Sequence, residues 1–367
     1  MVKIWDIVVR VFHWSLAFTV TVALVTGLFL LPTWITVHLI AGTAAAALVA
    51  IRIVWGVWGP GAARFAAFVH GPRKLFAHCR ELADGRARRH LGHNPLGGAM
   101  IVALLVVVIL LTLTGVIAEG GAVKSGPLAF VTPYNVGWTA RSIHNMIAYA
   151  LLGLVVLHLA GVVFESRRSS ENLLLSMFHG HKPTRPGDIS PPHRPARPVL
   201  AGVVATLLLL VSCVTVYALA QRPALGVPRT PLDPVYANEC GACHIPYHPS
   251  LEPAASWSAI MANLSHHFGQ NAELAPTTAT HIRKYLLAHS AEHYDTLPAH
   301  RFRHVNPADP LRITATPFWR RVHRGIPNSA FTSKSVVSRG NCGACHTDAR
   351  SGLFQPSAIQ MPEEAEQ

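Results

Sequence analysis

The sequence predicts an all-α protein in which a membrane four-helix bundle plus a fifth transmembrane helix precedes a small, mostly helical, loop-rich domain. Three observations lead to this fold class. Half of the 367 residues are hydrophobic and 13% are charged, whereas soluble proteins carry about 25% charged residues. Five apolar segments each reach the roughly 20 residues that a spanning helix needs. After the fifth segment the chain turns polar and rich in proline and histidine.

The predicted spans are Val11–Leu31, Thr36–Trp58, Leu96–Ala118, Ser142–Phe164 and Val199–Ala220. The first follows Lys3 and Arg10, as a signal peptide would, but no small-x-small cleavage site follows Leu31, so we expect a retained helix. The expected domains are residues 1–183 for the bundle, 184–234 for the fifth helix (199–220) with a proline-rich linker, 235–362 for the terminal domain and 363–367 for an acidic tail.

The loops predict the orientation. Spans two and three, and spans four and five, are joined by loops rich in arginine and lysine, whereas the other two loops hold Lys124 and the boundary Arg141. The basic residues are Arg64, Arg73, Lys74, Arg80, Arg86, Arg88, Arg89, Arg167, Arg168, Lys182, Arg185, Arg194 and Arg197. The positive-inside rule places the N-terminus and both basic loops in the cytoplasm. An odd number of spans then places the terminal domain on the periplasmic side of a bacterial inner membrane.

The net charge of +13 does not indicate nucleic-acid binding, because the basic residues lie between apolar segments and no basic patch has interleaved aromatics.

The segments after the fifth span have a less regular pattern. We expect the proline-rich linker Gln221–Pro234 to be a semi-rigid spacer. Helices are expected at Ser256–Phe268, with Ser256 as N-cap, at Thr277–His289 and at Pro317–Arg324. We expect the stretch Glu292–Leu311 to be a loop.

Span four carries His144 and His158, and ionisable residues inside a span are a functional hypothesis by default. Their separation of 14 residues is close to four helical turns, which places both rings on one helix face about 21 Å apart. Antiparallel threading brings His158 level with His13 near the cytoplasm and His144 level with His38 near the periplasm. Two facing pairs of neutral imidazoles are what two haems b with bis-histidine ligation require. The alternative for His13 or His38 alone is an interfacial residue.

Several segments of the first half resemble the bacterial cytochrome b561 family, related to the b-type cytochromes of nickel hydrogenases. The matching segments are IWDIVVRVFHW (Ile4–Trp14), RIVWGVWGP (Arg52–Pro60), ARF (Ala63–Phe65), HNPLGG (His93–Gly98), SIHN from Ser142, LHLAGV from Leu157 and ENLLLSMFHGHKP (Glu171–Pro183). The resemblance, over residues 1–183, implies a four-helix bundle with two haems b that exchange electrons with quinone. Its ligands would be His13, His38, His144 and His158. We expect Arg52 to extend to lipid headgroups rather than to a haem propionate.

Two pentads in the terminal domain, Cys240-Gly-Ala-Cys243-His244 and Cys342-Gly-Ala-Cys345-His346, have the Cys-x-x-Cys-His pattern of c-type haem attachment. Cys240, Cys243, Cys342 and Cys345 would bond the porphyrin vinyl groups, and His244 and His346 would be the proximal ligands. A thioredoxin-like or zinc site is the alternative. Covalent haem c is assembled on the periplasmic side, where the topology independently places this domain.

The distal ligands stay open on the residues alone, and Met261 is a further possibility. The candidates are His248, His266, His267, His281, His289, His293, His300, His304 and His323.

The terminal domain, residues 235–362, resembles the small dihaem cytochrome c family. The matching segments are ECGACHIPYHPSLEPAASW (Glu239–Trp257), HHFGQNAEL (His266–Leu274), PFWRRVH (Pro317–His323) and NCGACHTDARSGLF (Asn341–Phe354). The resemblance implies two bis-histidine haems with His267 and His323 as distal ligands, and we assign His267 to the first pentad and His323 to the second. The family usually has proline at the position of His248, which argues against that residue.

The sequence therefore predicts a membrane-anchored tetrahaem protein, with two haems b and two haems c, that passes electrons between quinone and a soluble periplasmic cytochrome or other redox protein. We expect the haem beside His144 to transfer electrons to the terminal domain. Such a chain would resemble a quinol:cytochrome c oxidoreductase. The alternatives are a superoxide:quinone oxidoreductase and the b-type anchor subunit of a larger periplasmic dehydrogenase or hydrogenase.

Overall fold

The computed structural model describes residues 1–362, so the expected acidic tail at 363–367 lies outside the described residues. Helices dominate the described chain. In chain order they are α1 Ile7–Leu28, α2 Ile35–Trp58, α3 Phe65–Phe68, α4 Pro72–Ala83, α5 Pro95–Ala118, α6 Tyr134–Arg168, α7 Leu173–His179, α8 Pro198–Ala220, α9 Pro234–Cys240, α10 Ala254–Ala262, α11 Pro276–Ala288, α12 Leu297–Phe302, α13 Pro317–Val322 and α14 Asn328–Phe331.

Five of these helices, α1, α2, α5, α6 and α8, are long and apolar enough to cross a membrane, which confirms the predicted fold class. Helix α6 is longer than its predicted span, because it begins at Tyr134 and ends at Arg168. Helix α5 continues into a π-helical turn, Glu119–Val123, which ends at Lys124 in a left-handed conformation with φ of 60°.

The first compact unit comprises Met1–Val116 and Ala140–Ala218. Its core lies where α1, α2, α5 and α6 meet. The buried side chains of this core are Ala45 and Val49 of α2, Leu105 and Val108 of α5, and Leu151 of α6. In lipid such packing is set by van der Waals contact and close backbone approach, since lipid tails are as apolar as the side chains themselves. Of the described residues of α8, Ala201 alone is buried.

The unit also contains an antiparallel sheet of two short strands, β1 Val2–Lys3 and β2 His181–Lys182. The Asp6 carboxylate then caps α1 by accepting hydrogen bonds from two backbone N–H groups of its first turn, at 2.9 and 3.1 Å. A carboxylate at this position satisfies N–H groups that have no partner within the helix. The N-terminus is thus fixed against the segment that follows α7.

The second compact unit comprises the loop Ile117–Thr139 together with the residues from Leu219 onward. It has two principal cores, around Trp257 and around Trp319. The first contains Tyr236, Trp257, Ile282 and Leu286, and the second contains Leu251, Phe302, Ile313 and Trp319.

Two local expectations for this unit were wrong. Helix α10 begins after Pro253, and Ser256 lies inside it, buried, with its hydroxyl donating to the carbonyl of Pro310 at 3.0 Å. The stretch expected to be loop contains helix α12, which is capped by the Thr296 side chain. Pro298 lies in its first turn, where proline is favoured because no helical partner exists for the missing N–H.

Candidate functional site

The four membrane histidines form two facing pairs inside the first unit. The ring centroids of His13 on α1 and His158 on α6 are 6.4 Å apart, and the planes are inclined by 52°. Those of His38 on α2 and His144 on α6 are 6.0 Å apart at 76°. We call the first the basic-side pair, because it lies at the helix ends joined by the basic loops, and the second the far-side pair.

These separations fit haem iron. When two imidazoles bind one iron from opposite faces, each metal–nitrogen bond is about 2 Å long, so the ring centroids lie about 6 Å apart. Both pairs have this spacing, and in each pair α6 supplies one ring and a different helix supplies the other. The residues present therefore suit two bis-histidine haems.

The far-side pair is oriented by hydrogen bonds to neighbouring helices. His38 Nδ1 donates to the carbonyl of Ala23 at 3.0 Å, and His144 Nδ1 donates to the carbonyl of Leu111 at 3.1 Å. A carbonyl can only accept, so the proton is on Nδ1 and the lone pair is on Nε2. This is the tautomer that a metal-binding histidine needs, and such a hydrogen bond also raises the basicity of the ligand.

Each of these rings is supported by its own Thr-Gly pair, a feature that was not predicted from the sequence. The Thr26 hydroxyl lies 3.3 Å from His38 Nδ1, and the Thr114 hydroxyl lies 3.1 Å from His144 Nδ1. Each hydroxyl donates its own proton to a carbonyl four residues earlier, at 2.7 and 2.8 Å, which leaves its oxygen free to accept.

The glycines leave room for the rings. A Cβ at Gly27 would lie 2.8 Å from His38 Cε1, and one at Gly115 would lie 3.3 Å from His144 Cε1. In both helices the carbonyl acceptor, the threonine and the glycine occupy positions i, i+3 and i+4. The recurrence of Thr-Gly near the ends of spans one and three was the signal in the sequence.

The basic-side pair has different surroundings. His13 Nδ1 is buried and has no hydrogen-bond partner among the described residues. Arg52 is 4% exposed and its guanidinium lies over the rings of Phe12, Phe65 and Phe68, at 6.0, 5.0 and 5.8 Å. The expectation that Arg52 extends to the headgroups was therefore wrong, since the aromatic rings hold it inside the bundle.

His93, which lies just before α5, is near the basic-side pair. Its ring contacts Trp5 and Phe68 at centroid distances of 4.6 and 5.0 Å. Burial, together with the positive charges of Arg52 and Lys182, lowers the pKa of His93 to about 3, so the ring is neutral. Nδ1 of His93 and Nη1 of Arg52 have no hydrogen-bond partner within the described chain. This region thus presents polar groups that a polar ligand could satisfy.

The second unit contains two further facing pairs, one for each pentad. His244 and His267 have ring centroids 6.2 Å apart with nearly parallel planes, inclined by 22°. His346 and His323 are 6.1 Å apart at 74°. His323 Nδ1 donates to the carbonyl of Trp319 at 3.0 Å, so its Nε2 is free. Burial lowers the pKa of both His323 and His346, which keeps both imidazoles neutral and able to bind iron.

Other distal candidates are engaged elsewhere. His281 contacts Asp233, His289 contacts the Tyr294 hydroxyl and His300 contacts Asp295, at 3.0, 2.9 and 2.8 Å. His248 is buried, and its Nδ1 bonds Ser250. Met261 packs against the core around Trp257. The geometry therefore favours His267 and His323, each on the pentad to which the sequence assigned it.

The cysteines of the pentads do not resemble a redox-active dithiol. Burial raises the pKa of Cys240 and of Cys342 to about 11, whereas thioredoxin-like Cys-x-x-Cys pairs have a lowered thiol pKa. In the described part of the chain, no group of three or more His, Cys, Asp or Glu side chains is arranged to hold a metal ion, as a zinc site requires. Neither observation supports a thioredoxin-like or zinc site at the pentads.

Comparison with known families and proteins finds two matching regions in the chain. Residues 4–180 match the prokaryotic cytochrome b561 family, and residues 236–354 match the dihaem cytochrome c family. Over 216 residues the chain is 25% identical to a probable Ni/Fe-hydrogenase B-type cytochrome subunit of Bradyrhizobium diazoefficiens, which covers 50% of this chain and 87% of that relative.

Solved structures similar to this chain are dihaem cytochromes c. One from Shewanella baltica is 34% identical, with 36% of this chain and 96% of that chain covered and a TM-score of 0.30. One from Rhodobacter sphaeroides is 38% identical, with 34% and 97% covered and a TM-score of 0.29.

Proposed function

Because the chain belongs to the prokaryotic cytochrome b561 family over residues 4–180 and to the dihaem cytochrome c family over residues 236–354, we propose that it passes electrons between the quinone pool and a periplasmic acceptor. The observation that carries this proposal is the set of four histidine pairs, two in each family region, with centroid separations from 6.0 to 6.4 Å. Haem supplies one-electron chemistry when bound, and the chain supplies the axial ligands and the spacing.

In the membrane, His13 with His158 and His38 with His144 would hold two haems b. The far-side rings are fixed by the Thr-Gly pairs, whereas the basic-side ring of His13 has no described Nδ1 partner. A hydrogen-bonded Nδ1 makes an imidazole a stronger donor, so the two sites would differ in reduction potential. Two membrane sites that differ in potential give an electron a preferred order of occupation.

In the second unit, Cys240 and Cys243 would attach one haem c, and Cys342 and Cys345 the other. The pairs His244–His267 and His346–His323 would complete the iron coordination. Bis-histidine ligation gives a lower potential than histidine–methionine ligation, which suits donors to other cytochromes. The basic loops support a cytoplasmic N-terminus. This orientation would place the second unit on the periplasmic side of the inner membrane.

Quinone would react at the basic-side pair. An apolar groove of about 660 Å³ between α1 and α2 is lined by Trp14, Phe18, Ala47 and Ile51, among others. Trp14, the residue that follows His13, lies in the lining of this groove. Arg52 and His93 supply buried polar atoms without partners nearby, which would suit a haem propionate and a quinone oxygen.

The test is steady-state turnover of the purified full-length chain with a short-chain quinol and an added soluble cytochrome c. We expect quinol-dependent reduction of the added cytochrome, and none with apoprotein. If the haems b are reduced by quinol but neither the haems c nor the added cytochrome follow, the proposed pathway is wrong.

The name of the Bradyrhizobium relative, a hydrogenase subunit, favours one second candidate, in which this chain is the b-type anchor of a larger dehydrogenase. Under that candidate a large redox subunit would remain bound during gentle purification. Under our proposal, the chain is active with quinol and cytochrome c without such a subunit.

A further inference from the structure

The loop between α5 and α6 packs with the C-terminal region. Residues Ile117–Thr139 and those from Leu219 onward form one compact unit. The loop falls within the segment that matches cytochrome b561, while the dihaem match begins at residue 236. The unit thus combines parts of both family regions.

An ion pair joins the two parts. Lys124 Nζ lies 2.7 Å from Asp295 Oδ2, and the Lys124 side chain is 3% exposed. The same ammonium donates to the carbonyl of Thr132 at 3.1 Å. Because a buried charge without its partner is strongly unfavourable, the pair holds the loop to the segment before α12.

Asp295 is fully engaged. Its Oδ2 also accepts the backbone N–H of Tyr134 at 2.8 Å, and its Oδ1 contacts Nε2 of His300 at 2.8 Å. Burial by itself would raise the pKa of Asp295, but the hydrogen bonds from Lys124 and His300 lower it overall. The carboxylate is therefore ionised and bonded on both oxygens.

The backbone of Lys124 supports a specific role for its side chain. It has φ of 60°, a left-handed conformation that is unfavourable for a residue with a Cβ. Glycine would adopt this conformation freely. A lysine thus occupies a position where the backbone favours glycine, and strain of this kind points to a functional requirement for its side chain.

Aromatic contacts extend the junction. His300 stacks on Tyr134 with ring centroids 4.4 Å apart and planes inclined by 21°. The guanidinium of Arg301 lies 4.3 Å from the centroid of the Trp138 ring, within the range of a cation–π interaction. Tyr134 and Trp138 are in the first turns of α6, the helix that carries His144.

The segment that follows α8 completes the junction. The N–H of Leu225 donates to the carbonyl of Ala129, and the N–H of Asp295 donates to the carbonyl of Gly226, both at 2.8 Å. A Cβ at Gly226 would lie 2.4 Å from the Cβ of Asp295. The proline-rich linker is therefore bonded at this point and is not a free spacer.

We propose that the loop Ile117–Thr139 is a docking platform for the dihaem region, with Lys124–Asp295 as its anchor, so that the dihaem region stays bonded to this loop while electrons pass between the two family regions. The proposal rests on the proposed function. The loop continues covalently into α5 and α6, so a region bonded to it cannot diffuse on the linker alone. A docked region gives a single transfer rate, whereas a tethered one gives a rate limited by its excursions.

The test compares full-length wild type with the variants Asp295→Asn and Lys124→Gly, after rapid reduction of the haems b. Removing one partner of a buried ion pair should lower the docked fraction by about tenfold or more. We expect haem b to haem c transfer to slow by a similar factor and to become dependent on viscosity. Glycine relieves the strain at position 124, so Lys124→Gly keeps the loop folded while it removes the ammonium.

The control is Asp309→Asn, which removes the exposed Arg312–Asp309 pair on the same unit and should leave the rate unchanged. Haem c content and its direct reduction by dithionite should equal wild type in all variants. Hydrogen exchange of residues 119–139 and 222–227 should rise in the two anchor variants. Unchanged transfer rates and unchanged exchange in both would overturn the docking proposal. Absence of haem b to haem c transfer in wild type would instead overturn the proposed function.

Discussion

The imidazole rings of His38 and His144 face each other with centroids 6.0 Å apart, and each Nδ1 donates to a backbone carbonyl of a neighbouring helix. The acceptors, Ala23 and Leu111, each precede a Thr-Gly pair at the same spacing. Two helices of different sequence thus hold two rings in the same way, which identifies the contacts that should control the far-side site.

Replacing His158 with Ala should remove the basic-side haem b and leave both haems c in place, because His158 is one of two facing rings 6.4 Å apart. Pyridine haemochrome spectra of the purified chain measure both haem types. Full haem b content in this variant would mean that His158 is not an iron ligand.

Gly27→Ala should disturb the far-side site more than Gly115→Ala. The added methyl would lie 2.8 Å from the His38 ring but 3.3 Å from the His144 ring, and displacement of a ligand's support costs about 10- to 100-fold in metal affinity. Haem b retention under mild denaturant gives the comparison. Gly42→Ala on α2 is the control, since a Cβ there meets nothing within 4 Å. Equal loss in all three variants would show that close ring contact is not what matters.

Thr114→Val should raise the reduction potential of the far-side haem b. The hydroxyl oxygen lies 3.1 Å from His144 Nδ1 and shares its proton with the carbonyl of Leu111. Loss of one of the two acceptors weakens the hydrogen bonding of the imidazole, so the imidazole becomes a weaker donor, which favours the reduced iron. Redox titration of the b-type absorbance measures the shift. Thr112→Val removes a hydroxyl that bonds only the carbonyl of Val108, and it should leave the potential as in wild type.

Ala47→Leu should slow reduction by quinol without loss of haem, because the larger side chain fills the groove between α1 and α2. Leucine adds about three methylene-sized groups, which is enough to exclude part of a ligand from a site of this volume. Pre-steady-state reduction of haem b by quinol is the measurement. The control Thr43→Leu lies at an exposed position on the same helix. A wild-type rate in Ala47→Leu would place the quinone elsewhere.

The contribution of Glu252 to the stability of the second unit should fall as pH rises from about 4.5 to about 8. Glu252 is 2% exposed, and burial raises its pKa from 4.5 to about 8, so over this range the folded state holds a proton that the unfolded state has released. Stability then decreases with pH, by at most about 1.4 kcal/mol per pH unit. The difference in thermal stability between wild type and Glu252→Gln should change with this slope across the pH range. Glu273→Gln, at an exposed site, should retain it.

The sequence was sufficient where the relevant pattern is local. Span length, loop charge and the 14-residue spacing of His144 and His158 follow from helix geometry, and the pentads are contiguous. These features therefore predicted the five spans and the facing pairs His13–His158 and His38–His144. The start of α6 at Tyr134 was not predicted, because the first turns of this helix are not apolar.

Features that depend on distant residues could not be predicted. Lys124 and Asp295 are 171 residues apart, and neither has a neighbour in sequence that indicates the other. Arg52 was expected near lipid headgroups because its position near a span end is typical of that. Its enclosure by three phenylalanine rings depends on the packing of α1 and of the segment after α2, which one sequence does not specify.

The most direct test of the central claim is anaerobic mixing of the full chain with quinol while the b-type and c-type absorbances are followed separately, in wild type and in His144→Ala. We predict that quinol reduces the haems c of wild type after the haems b. In His144→Ala, with haem c content unchanged, it should not reduce the haems c on that timescale. Reduction of the haems c at the wild-type rate in this variant would contradict the account.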